Sequence, residues 1–134
     1  MMGDKLYDEK GKMVMTYIEE IDAEGVVLKQ TFNSEVIGSG KFPSGMNLGS
    51  GVIRIKAEGK AHGKWRGILT TKDGEMVTWK GSGHSMRASN TVRGIMVITF
   101  MTMSEKLKWM NSIIVVDEIT GNLMDFTGLA HEWK

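Results

Sequence analysis

The stretch Leu69-Thr70-Thr71-Lys72-Asp73-Gly74-Glu75-Met76-Val77 decides the fold of this chain. It holds an Asp-Gly turn signal between two alternating apolar runs, and the turn it makes sets which side chains share a face. A two-residue turn sets Gly67 against Lys80, with no complementarity of size. A three-residue loop, with Gly74 left-handed in a bulge, pairs Thr71 with Glu75 and Leu69 with Val77. Gly67 then faces Trp79, Trp65 faces Gly81, and Gly63 meets Gly83. Each indole lies over a glycine that leaves room for it, an arrangement that rescues strand glycines. The three-residue loop is therefore the expected one.

That register orients the ribbon. Ala61, Gly63, Trp65, Gly67 and Leu69 join Val77, Trp79, Gly81 and Gly83 in an apolar row that should point inward. His62, Lys64, Arg66 and Ile68 with Thr78, Lys80, Ser82 and His84 should meet solvent. Interior glycines let strands bend and close a narrow barrel, and closure removes exposed edges.

Outward from this hairpin, alternating apolar segments recur between Gly, Asn, Asp and Ser clusters, with no convincing helix. Strands are expected over 12–18, 26–32, 35–42, 51–57, 60–70, 75–86, 92–103, 107–117 and 122–133, with 44–50 as a mobile loop. The fold class is all-β: one domain over 1–134, a single antiparallel barrel of eight to nine meandering strands. Seventeen glycines, about twice average usage, agree with sharply bent strands. Twelve methionines beside four phenylalanines suggest a pliable interior.

Strands 92–103 and 107–117 are apolar on both faces: Met96, Ile98 and Phe100 against Ile95, Val97 and Met101, then Trp109, Ile113 and Val115 against Met110, Ile114 and Val116. A barrel interior covers only one face. A second subunit is the preferred cover for the other, making the chain a homo-oligomer through these two strands. The alternative is that the chain's own N-terminal strands lie over them, as in a sandwich.

Composition removes several function classes. There is no cysteine, which excludes disulfides, thiol nucleophiles and thiolate metal sites. Seventeen basic residues against sixteen acidic ones leave a net charge of +1, with no footprint for nucleic acid or an anionic membrane. The beginning of the chain does not resemble a signal peptide and no run reaches transmembrane length, so a cytoplasmic location is expected. No phosphate-cradling motif, HExxH or nucleophile elbow occurs, and no cofactor is expected.

Three constellations can carry chemistry. His62 opposite His84 brings two imidazoles about 5 Å apart at Cβ, enough to share a metal ion if a third ligand existed; otherwise they are solvated histidines. His131 is too distant in the chain to place. Arg93 meets Asp117 or Glu118, depending on the turn at Ser104-Glu105-Lys106, and reads as a structural ion pair. Asn111 interrupts an apolar row and must find a partner. Facing inward, it joins Trp65, Trp79 and Trp109 in lining a ligand cavity; facing outward, it is an interface residue. Catalytic residues are not assigned.

The central stretch 63–83, Gly-Lys-Trp-Arg-Gly-Ile-Leu-Thr-Thr-Lys-Asp-Gly-Glu-Met-Val-Thr-Trp-Lys-Gly-Ser-Gly, and the ending Glu132-Trp133-Lys134 resemble a group of small uncharacterised prokaryotic proteins. These resemble the allene oxide cyclase-like barrels, a calycin-type architecture of about eight antiparallel strands. The resemblance implies a barrel that holds a small apolar molecule and forms oligomers. The plant cyclases close a ring on a fatty-acid epoxide inside such a barrel; their catalytic residues do not map onto this chain.

The leading functional expectation is a barrel binding a small hydrophobic molecule in its interior. A cyclase or isomerase, shaping a reactive substrate by confinement, is the enzymatic alternative. An oligomeric structural or interaction protein without a ligand is the third.

Overall fold

A computed structural model describes residues 1–134. Eight strands follow one another: β1 (Met2–Asp22), β2 (Gly25–Gly38), β3 (Gly45–Ile55), β4 (Lys60–Thr71), β5 (Met76–Ala88), β6 (Thr91–Met101), β7 (Ile114–Gly121) and β8 (Asp125–Trp133). Each pairs antiparallel with its neighbour in sequence, and β8 returns to β1, so the sheet is a closed barrel.

The deciding hairpin has the expected loop. Gly74 has φ of +84°, the Thr71 amide donates to the Glu75 carbonyl at 2.9 Å, and the Gly74 amide donates to the Thr71 carbonyl at 2.9 Å. The register follows: Leu69 faces Val77, Gly67 faces Trp79, Trp65 faces Gly81, and His62 faces His84. One expectation about glycines is corrected. A Cβ on Gly67 would run into the Trp79 ring, as expected, but the Trp65 ring covers Gly51 of β3. A Cβ on Gly81 would meet Ile98 and Met96 at 3.1 Å and not the indole. An indole is longer than the spacing between strands, about 4.8 Å, and Trp65 leans across to the other neighbour.

Three other expectations fail for identifiable reasons. Segments 26–32 and 35–42 are not two strands: β2 runs unbroken from Gly25 to Gly38. Asn33-Ser34 looks like a turn, but Ser34 continues the buried row Gln30, Phe32, Ser34, Val36 and donates its hydroxyl to Glu9. Segment 44–50 is not a loop, because β3 begins at Gly45 and pairs on both sides, Met46 with Glu35 and with Thr70. Its glycines serve packing: a Cβ on Gly49 would strike Phe32. Segment 107–117 is not one strand. A 3-10 turn, Lys108–Ser112, precedes β7, and its three-residue spacing buries Leu107 and Met110 together in the core.

Asn111 fixes that turn. Its Oδ1 accepts from the Thr102 amide at 2.8 Å and its Nδ2 donates to the Thr102 carbonyl at 3.1 Å, which ends β6. Asn111→Ala should cost about 1–2 kcal/mol in urea unfolding, since two backbone groups lose their partner. Because this connection is longer than a tight turn, Arg93 pairs with Thr120 instead of an acidic residue.

Inward rows fill the core: Val77, Leu69, Ile98 and Val115 are buried. Phe42 seals one end, 4.8 Å from Tyr7, 5.7 Å from Phe100 and 6.2 Å from Trp109, with Met110 and Leu107 buried in the same core. On the outside, Ile95 (53%), Val97 (44%), Met101 (69%) and Ile114 (44%) are exposed. β1 lies in the ring between β2 and β8, so no sandwich layer covers them. No helix is long and apolar enough to cross a membrane.

Candidate functional site

Above the Phe42 seal the barrel interior holds a cavity of about 180 Å³. Its lining includes Gly59, Arg87 and Asn122, from or beside the turns at the end opposite the seal, so it opens there. Phe32 is central to the wall, with Trp65 at 5.6 Å, Trp79 at 6.1 Å and Phe126 at 5.2 Å between ring centroids. Aromatic rings meeting at an angle give a rigid apolar wall at little entropic cost.

One polar cluster interrupts this wall. Glu9 of β1 and Asp117 of β7 both point inward and are buried, and they reach each other across β8 because Gly128 lies between them. A Cβ on Gly128 would stand 2.8 Å from Asp117 Oδ1 and 3.2 Å from Glu9 Oε1. Glu9 Oε2 accepts from the Ser34 hydroxyl and from Asn47 Nδ2 at 3.1 Å. Asn47 Oδ1 accepts from Trp79 Nε1 at 2.7 Å, which ties the indole to the carboxyl pair. The Tyr7 hydroxyl donates to Asp117 Oδ2 at 3.4 Å, while Asp117 Oδ1 is buried and has no N–H or O–H donor.

These placements shift the protonation of all three groups. Burial first, then the Glu9 charge, holds the Asp117 carboxyl well above the usual carboxylate range. Burial raises Glu9 as well, opposed by the hydrogen bonds from Ser34 and Asn47. Tyr7 is raised by burial and by both neighbouring acids. Two carboxyl oxygens facing each other in an apolar interior are compatible only if a proton lies between them. Glu9 has the better set of donors, which favours Asp117 as the site of a shared proton. This pair can donate a proton, accept one, or hold a ligand's polar atom.

The sequence-derived candidates divide. Trp65 and Trp79 line the cavity. Trp109 packs on the far side of the Phe42 seal, with Lys41 Nζ 4.2 Å from its ring centroid, and Asn111 is exposed; neither lines the cavity. The His62 and His84 rings are 6.0 Å apart, exposed and beside the open end of the cavity, and no group of three or more His, Asp or Glu is placed to hold a metal. Sequence reasoning gives no role to Tyr7, Glu9, Ser34 and Asn47, and places Asp117 only as a partner for Arg93. One signal was available: Asp117 continues the row Ile113, Val115, an acid on an apolar face.

No protein-family profile and no curated protein matches the chain. Solved structures do. A protein of unknown function from Clostridium acetobutylicum shares 17% identity at a TM-score of 0.84, covering 98% of each chain. A β-barrel-like protein from Acinetobacter baumannii shares 16% identity at a TM-score of 0.85, covering 100% of this chain and 96% of its own. An enzyme from Penicillium herquei shares 18% identity at a TM-score of 0.72, covering 99% of this chain and 96% of its own. At these identities the likeness is one of fold: this chain shares its barrel architecture with these proteins.

Proposed function

We propose that the barrel binds a small, largely apolar molecule in its interior, with Trp65 and Trp79 against it and the Glu9–Asp117 pair meeting its polar group. The observation that carries this reading is an apolar cavity, sealed at one end and open at the other, with a buried polar cluster in its wall, the usual form of a small-molecule site. Binding should change the fluorescence of Trp65 and Trp79. Titration with apolar aromatic probes should quench it in the parent chain and have less effect after Leu69→Trp, which fills the cavity. A response equal in both chains places the probe on the outer surface and rejects the reading.

A second reading is an isomerase or ring-closing enzyme of the allene oxide cyclase-like kind, and the carboxyl pair favours it. Asp117 would give its proton to one atom of the ligand while Glu9 takes one from another. Composition is unchanged, and no cofactor or nucleophile is needed. The barrel relative described as an enzyme is compatible with this. In both readings the uncovered row Ile95, Val97, Met101 and Ile114 is the surface offered to a second copy, and the mass from light scattering of Val97→Lys tests it.

A further inference from the structure

The chemistry of the polar cluster restricts which molecules the cavity accepts. Glu9 and Asp117 together carry two acids, and Tyr7 adds a third acidic group. The neutral donors Ser34 and Asn47 are already committed to Glu9. Among the lining side chains only Arg87 carries a full positive charge; it is at the mouth, exposed, with its Nε donating to the Ser89 carbonyl at 3.2 Å. Nothing at the depth of the carboxyl pair can offset a second anion. A carboxylate placed there would be buried beside Glu9 without a counter-ion, which strongly disfavours it.

A neutral hydroxyl group has the opposite fit. It can accept from the Asp117 acid proton and donate to Glu9, both of which line the cavity. Hydrogen bonds to an ionised partner are about twice as strong as neutral ones, so a donor aimed at Glu9 is favoured over a bare apolar edge. Resting on the interior-binding reading above, we infer that this cavity selects a neutral aromatic or apolar molecule bearing a hydroxyl group and rejects the corresponding carboxylic acid. The fatty-acid type of substrate suggested by the allene oxide cyclase resemblance would then have to keep its carboxylate away from Glu9 and Asp117.

Calorimetric titration of the full chain at pH 7 with 2-naphthol, naphthalene, 2-naphthoate and 2-naphthylmethylammonium tests this directly. The expected result is 2-naphthol tighter than naphthalene, and 2-naphthoate at least tenfold weaker than 2-naphthol. Glu9→Gln, which removes the buried charge while keeping the shape, should narrow the gap between naphthol and naphthoate; circular dichroism confirms that this variant folds. Naphthoate binding as tightly as naphthol overturns the selection while leaving interior binding intact. Naphthylmethylammonium binding tightest overturns it in favour of a cation site. Failure of all four probes, with the parent chain folded, removes the interior-binding reading itself.

Discussion

Gly67→Ala is expected to cost about 3 kcal/mol or more, the upper end of what overpacking does, and to leave little cooperatively folded protein. The added Cβ would stand 2.5 Å from the Leu48 carbonyl oxygen, also 2.5 Å from Trp79 Cε2, and closer still to the far edge of that ring. Neither neighbour can withdraw. Leu48 is held in β3, paired on both sides, and Trp79 is tied through Nε1 to Asn47 at 2.7 Å. Gly74→Ala is the control: nothing lies within 4 Å of its Cβ position, and only the left-handed backbone, φ +84°, is penalised, by about 1–2 kcal/mol. Urea midpoints of the two variants should therefore differ widely. A Gly67→Ala chain with the parent midpoint would mean that the indole does not occupy the space over Gly67.

Asp117→Asn should raise stability at neutral pH and flatten its dependence on pH. The folded Asp117 carboxyl titrates well above its unfolded value, with burial the main cause and Glu9 the second. Below about pH 4 both states carry the proton and this group contributes no difference. As pH rises past that point the unfolded chain releases the proton while the folded one keeps it. Stability falls until the folded group titrates, by about 1.4 kcal/mol for each unit of separation. Glu9, also raised, acts in the same direction. Asparagine keeps the shape and can donate to Glu9 without this loss. The variant should melt above the parent at pH 8, and the advantage should shrink toward pH 4. A parent chain whose melting temperature rises from pH 4 to pH 8 as steeply as the variant's would show that the pair ionises without cost.

The barrel was legible because its strongest local signal was decisive. One left-handed glycine fixed the β4–β5 register, and alternation did the rest for β5 and β6. Where the reading failed, polar residues had been assigned by type and not by face. Asn33-Ser34 and the segment from Ser44 to Ser50 look like loops, yet Ser34 faces inward to bind Glu9 and Gly49 makes room for Phe32. Trp109-Met110-Asn111 looks like a strand at period two but folds at period three, a choice made by the side chain of Asn111 on the Thr102 backbone. The acid pair was hidden for a different reason. Glu9 and Asp117 lie at opposite ends of the sequence and meet only when β8 joins β1, which no local pattern announces.

That joining of the first and last strands has a kinetic consequence. Neighbouring strands meet across short connections, but the pairing of Tyr7 with Ala130 must bring together nearly the whole chain. A tenfold longer loop adds about 2 kcal/mol of closure entropy, so zipping of the ring should be the late event in folding. Until it occurs the two acids stand apart and hydrated, each with an ordinary affinity for protons. Coming together, they take up a proton from water, so the final folding step should slow as solvent acidity is lowered.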